Sequence, residues 1–199
     1  MMTTKVFQRV LAIFLVVAAI FLANGLNNVA NAARVQIYDN SVENLLDYIV
    51  KVGNEYNFTT RGTHYYTGKD GFKYCESYFG DSDKNRIVFQ VNNNGAVSSG
   101  WVIFPRATMS GKNNEAGGKI GSLLVCAICD RAGMSEEQIH NFGDEMENWI
   151  DNWISNHKSG ELPNKTFSIW CAKSKRYINI NVFADSSYDF VNFHIYAHI

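Results

Sequence analysis

Tyr177 to Phe183 reads YININVF, and Phe190 to Ile199 reads FVNFHIYAHI. Both stretches alternate. Ile178, Ile180 and Val182 share one side of the first; Val191, Phe193, Ile195 and Ala197 share one side of the second. Successive side chains of a strand point to opposite faces, so a period of two marks a half-buried strand. Two such rows joined by a short loop describe an antiparallel hairpin with one oily face. That face must lie against other elements. With Phe183 opposite Phe190, the register pairs Asn181 with Asn192, Asn179 with His194 and Tyr177 with Tyr196. The second face then carries rows of Tyr, Asn and His.

Thr166 to Ala172 adds a third strand to this group. Ahead of it, Ser135 stands three residues before Gln138, a capping-box spacing. Ile139, Phe142, Met146, Trp149, Ile150 and Trp153 then recur as one apolar stripe, so the spacing predicts a helix over 135–157. Residues 119–131 are apolar on most sides, which predicts a buried helix, stopped by Gly133. The polar, glycine-rich stretch 105–118 reads as a loop.

Farther back, Val42, Leu45, Leu46, Ile49 and Val50 recur at helical spacing after Asn40-Ser41, a capping pair. This gives a helix over 41–56. Four strand-like runs occupy 63–104: Thr63–Thr67, Phe72–Phe79, Arg86–Val91 and Val97–Phe104. Asn92 to Gly95 (NNNG) is a strong hairpin signal between the last two. The fold class expected is α+β: an antiparallel sheet of two meanders with helices packed on one face.

The N-terminus has a different character. Lys5 and Arg9 precede an uncharged run from Val10 to Ala23, and Ala30-Asn31-Ala32 fits an A-x-A cleavage pattern. That order describes a secretory signal peptide over 1–32. The run is short of the roughly 20 residues a spanning helix needs. The expected mature chain, 33–199, is one α+β domain, secreted or periplasmic, cut near Ala32-Ala33, with no transmembrane segment. It retains 16 basic and 19 acidic residues, which argues against nucleic acid as a partner.

Cys75, Cys126, Cys129 and Cys171 are the four cysteines. Export would place them in an oxidising compartment, where an even number suggests disulfides. Cys126 and Cys129 form a C-x-x-C, but well inside the expected helix. A reactive cysteine of a redox motif sits instead at a helix start, where backbone N–H groups favour its thiolate. A bridge from a helix cysteine to Cys171, stapling the layers, is the preferred reading.

Gly117, Gly118 and Lys119 stand at a helix start and could hold an anion through free N–H groups. They do not complete a P-loop, because Ile120 occupies the Ser/Thr position. The five histidines form no chelating pair and no nucleophile elbow is present, so the sequence implies no catalytic residue, metal or cofactor. The functional expectation is an exported, non-enzymatic domain. It would bind a protein, peptide or glycan through Tyr177, Asn179, Asn181, Asn192, His194 and Tyr196. Two alternatives are a thiol-dependent enzyme using Cys126 or Cys129, and a secreted inhibitor or envelope assembly component.

Overall fold

A computed structural model describes residues 35–80, 82–105, 117–156, 164–184 and 190–199. In chain order the elements are β1 (Tyr38–Ser41), α1 (Val42–Glu55), β2 (Thr60–Thr67), β3 (Lys73–Phe79), β4 (Arg86–Val91), β5 (Ala96–Pro105), α2 (Gly117–Arg131), α3 (Glu136–Asn156), β6 (Asn164–Cys171), β7 (Arg176–Ala184) and β8 (Phe190–His198). The strands form one eight-stranded antiparallel sheet in the order β2-β3-β4-β5-β8-β7-β6, with β1 paired to the start of β5. The two meanders therefore join along β5 and β8 into a single α+β domain.

The helices start where their caps dictate. The Ser41 side chain accepts from the Asn44 amide, and Asn40 Oδ1 accepts from the Ser41 amide at 2.8 Å. At α3 the capping box closes in both directions. The Gln138 amide donates to Ser135 Oγ at 3.2 Å, and the Ser135 amide donates to Gln138 Oε1 at 3.0 Å. At the end of α2, Gly133 adopts φ +99, a left-handed turn that L side chains rarely take.

The aliphatic rows face the helices. Ile178, Ile180 and Val182 of β7 and Val191, Phe193 and Ile195 of β8 are fully buried, as are Leu124 and Val125 of α2. Gly121 lets α2 approach β5: a Cβ there would lie 2.6 Å from the Phe104 ring. Phe142 and Met146 of the α3 stripe are buried, while Ile139 and Trp149 pack at the edge of the core. The side chains of Ile150 and Trp153 lie outside the described residues.

The β7–β8 register differs from expectation. Phe183 pairs with Asn192, Asn181 with His194, Asn179 with Tyr196 and Tyr177 with His198, a slide of two residues. Each residue keeps its face because two is the period of a strand. Alternation therefore cannot distinguish the two registers. The observed one pairs Ala184 through Tyr177 along their whole length and sets Ile180 against Ile195. β2 also begins earlier than expected, at Thr60, and carries a register break between Arg61 and His64.

Both sheet edges are guarded. β2 is interrupted by that irregularity around Gly62. On β6, Lys165 points to the helical side, 3.6 Å from Glu145 of α3. A bulge or an inward-pointing charge on an edge strand discourages pairing with another strand.

Phe193→Ala should destabilise the fold by about 3–5 kcal/mol, because it empties a fully buried ring site beside Phe104. Urea unfolding followed by tryptophan fluorescence would measure the loss.

Candidate functional site: the sheet face opposite the helices

The described helices lie on one side of the sheet. On the other side the strand registers align a set of rings. Tyr66 is paired with Tyr74, Trp101 with His194, and Tyr177 with both Trp170 and His198. Each of these is a directly opposed cross-strand pair, the closest placement two side chains on one face can have.

The rings stack. Trp101 and His194 lie 4.5 Å apart with planes 1° from parallel. Tyr177 and His198 lie 5.0 Å apart at 12°, and Tyr66 and Tyr74 lie 5.4 Å apart at 19°. Tyr74 continues to Trp101 at 6.2 Å, and His194 to Tyr196 at 5.0 Å. His64 packs against Tyr66 and Tyr78. One chain of rings thus runs from β2 to β8, and a second, Trp170–Tyr177–His198, spans β6 to β8. Neighbouring strands are about 4.8 Å apart, so rings stacked face to face across them must stand on the sheet. In each stacked pair one face of each ring is covered by the other.

Polar side chains fill the spaces beneath. Gln90 is 1% exposed and Asn179 is 4% exposed, although neither faces the helices. Gln90 Oε1 accepts from Ser98 Oγ at 3.1 Å and from Ser99 Oγ at 3.2 Å. The Asn179 amide lies 2.6 Å from His198 Nδ1, and Asn181 Oδ1 accepts from Thr166 at 3.3 Å. Glu76 is buried between His64 Nε2 at 3.3 Å and Arg86 Nη1 at 3.5 Å. By register, Glu76 and Arg86 are the only residues of β3 to β8 on this face that carry a fixed charge. They pair with each other, and Arg61 of β2, opposite Tyr78, pairs with Asp83 at 2.7 Å, so the described part of the face is close to neutral.

All six residues singled out from the terminal hairpin lie on this face. Tyr177 is 39% exposed, His194, Tyr196 and Asn181 are half-buried, and Asn179 and Asn192 are buried between the rings. Sequence reasoning missed the other half of the surface: His64, Tyr66, Tyr74, Trp101 and Trp170. The alternation in THYYT and in VSSGWVIF carries the signal, but only the β5–β8 pairing brings those strands beside the hairpin.

The other candidates are distributed elsewhere. Gly117, Gly118 and Lys119 form the first turn of α2, and residues 106–116 before them lie outside the described residues. All four cysteines are free thiols; no disulfide links Cys171 to a helix cysteine. Cys75, Cys129 and Cys171 are fully buried. Burial pushes each of the four thiols above its ordinary pKa, and the neighbouring sulfurs Cys126 and Cys171 push Cys129 further. Cys126 and Cys129 sit in the last turns of α2, where helix-start N–H groups cannot reach them. A thiolate nucleophile is disfavoured on both counts. Among the described residues, no three His, Cys, Asp or Glu side chains gather as a metal-holding group, and no helix is long and apolar enough to cross a membrane.

No family model, curated protein or solved structure matches this chain.

Native protein treated with iodoacetamide near pH 8 should retain most of its thiols unmodified, while unfolded protein should lose all four; mass spectrometry reads the count. The raised thiol values also fix a sign. The folded chain holds these protons more tightly than the unfolded chain, so the associated stability is intact below the ordinary value of 9.0 and falls as pH rises above it. Thermal midpoints should therefore decline on the alkaline side of about pH 9, and less steeply in a Cys126→Ala variant.

Proposed function

We propose that this protein is an exported, non-enzymatic domain that captures a protein partner on the face of its sheet opposite the described helices. The observation that carries the reading is the continuous ladder of upright rings from Tyr66 to Tyr196, with amides and hydroxyls set between them. Tyrosine and tryptophan supply large, rigid, amphipathic contact area at low entropy cost. Asn and Ser supply adaptable hydrogen bonds. Protein-binding surfaces are enriched in aromatic residues and depleted of charge at their centre, as this face is.

The same geometry ranks the other partners. A sugar ring is held against the flat face of an aromatic, and a nucleic-acid base stacks on one. Here Trp101 and His194, and Tyr177 and His198, each turn one flat face onto the other, which leaves less open ring face to such a ligand. Nucleic acid also requires a basic surface, which Glu76 and Arg86 do not make. Strand addition at an edge is opposed by Lys165 on β6 and the break in β2, which leaves the face itself.

Export rests on the leader pattern of residues 1–32. N-terminal sequencing of protein recovered outside the cytoplasm should begin near Ala33. An intact Met1 on such protein would refute the cleavage.

A photo-crosslinking residue placed at Tyr66 or Tyr177 in producing cells should yield the same covalent partner from both positions. The exposed α3 position Glu137 should not. Tyr66→Ser with Trp170→Ser, two of the most exposed rings, should weaken capture by about tenfold or more. Identical adducts from all three positions would refute the surface.

A further inference from the structure

A cleft elsewhere on the molecule shares no residue with the ring-lined face. Three segments distant in sequence enclose a cleft of about 410 Å³: residues 37–40 ahead of α1, residues 131–133 at the end of α2, and the turn between β6 and β7. That volume falls within the range of pockets that hold small molecules.

The cleft is held in shape by Arg176, whose side chain is only 11% exposed. Its Nε donates to the Ser174 carbonyl at 3.2 Å. Its two terminal nitrogens donate to the two oxygens of Asp39 at 3.1 and 2.6 Å, and one of them also donates to the Gln36 carbonyl. Four of the five guanidinium N–H groups are thereby engaged, and one remains. The third wall is fixed by close approach. A Cβ on Gly133 would stand 3.2 Å from the Ser174 side chain. A ligand would thus meet walls already in place, with little ordering entropy to overcome.

The charge in this cleft is one-sided. Among the described residues, Arg131, Lys173 and Arg176 line it against a single carboxylate, Asp39, both of whose oxygens Arg176 already occupies. Arg131 is steadied 3.6 Å over the Tyr48 ring and stands only loosely, at 3.9 Å, from Asp130. Lys173 projects from the turn and is exposed. Ser174 adds a hydroxyl whose oxygen is buried with no hydrogen-bond partner beyond the weak thiol of Cys171. Cations from two walls, over a floor whose own carboxylate is neutralised, suit a group with negatively charged oxygens.

We propose that this cleft binds a small oxyanion, the carboxylate or phosphate group of a small molecule, between Lys173 and Arg131 above the Arg176–Asp39 pair. The site is independent of the ring-lined face and stands whether or not that face captures a protein.

The test is amide NMR of the protein titrated with inorganic phosphate and, separately, with succinate, against sodium chloride of matched ionic strength. Saturable shifts centred on Gly133 and Ser174 are expected. Response to phosphate alone identifies a phosphoryl ligand, response to succinate alone a carboxylate, and response to both a general oxyanion site. Lys173→Gln combined with Arg131→Gln should raise the apparent Kd at least about tenfold, and Lys173→Arg should retain binding. Both positions are exposed, so the variants should keep the parent spectrum elsewhere. Shifts that never saturate, or that chloride reproduces, would overturn the proposal.

Discussion

The buried rows of β7 and β8 lie on the helical side of the sheet, where α2 packs closely on β5, and the rest of the architecture follows from that contact. Ile178, Ile180, Val182, Phe193 and Ile195 leave no exposed surface. The approach is close because Gly121 presents no side chain to Phe104. A sheet that hides one face so completely beneath helices must solve its second face without them. Here the solution is local: aromatic rings on neighbouring strands cover one another, and the polar groups under them hydrogen-bond among themselves.

That solution explains why Gln90, Asn179 and Glu76 are buried on the face opposite the described helices. Buried polar groups require partners, and each of these has one: Ser98 and Ser99 for Gln90, His198 for Asn179, His64 and Arg86 for Glu76. The surface is therefore ordered before any partner arrives. A rigid, near-neutral, ring-edged surface loses little entropy on association and needs little charge desolvated. These are the properties that make it a better candidate for recognition than the cysteine pair. The sulfurs of Cys129 and Cys171 are sealed in the core, with their protons held more tightly by burial.

The Arg176 cluster has a different logic. It ties the segment before α1 to the turn after β6, and it does so with a buried guanidinium whose partners come from residues 36, 39 and 174. Nothing in the local sequence announces it, since Asp39 and Arg176 are separated by most of the chain. Charge that is unremarkable along the sequence becomes concentrated once the chain closes on itself.

The elements themselves were written locally. The period-two rows of β7 and β8, the Ser135–Gln138 box and the Val42-to-Ile49 stripe each depend on residues within a few positions of one another, so the sequence alone determined the helices, the terminal hairpin and its core-facing side. Six residues of the ring-lined face were legible for the same reason. The two-residue slide between β7 and β8 was not, because either register keeps every side chain on its own face. Only the tertiary structure set that register, joined β5 to β8 and placed Trp101 on His194. Ring stacking and strand pairing act between residues remote in sequence, and their geometry exists only after the two meanders have met.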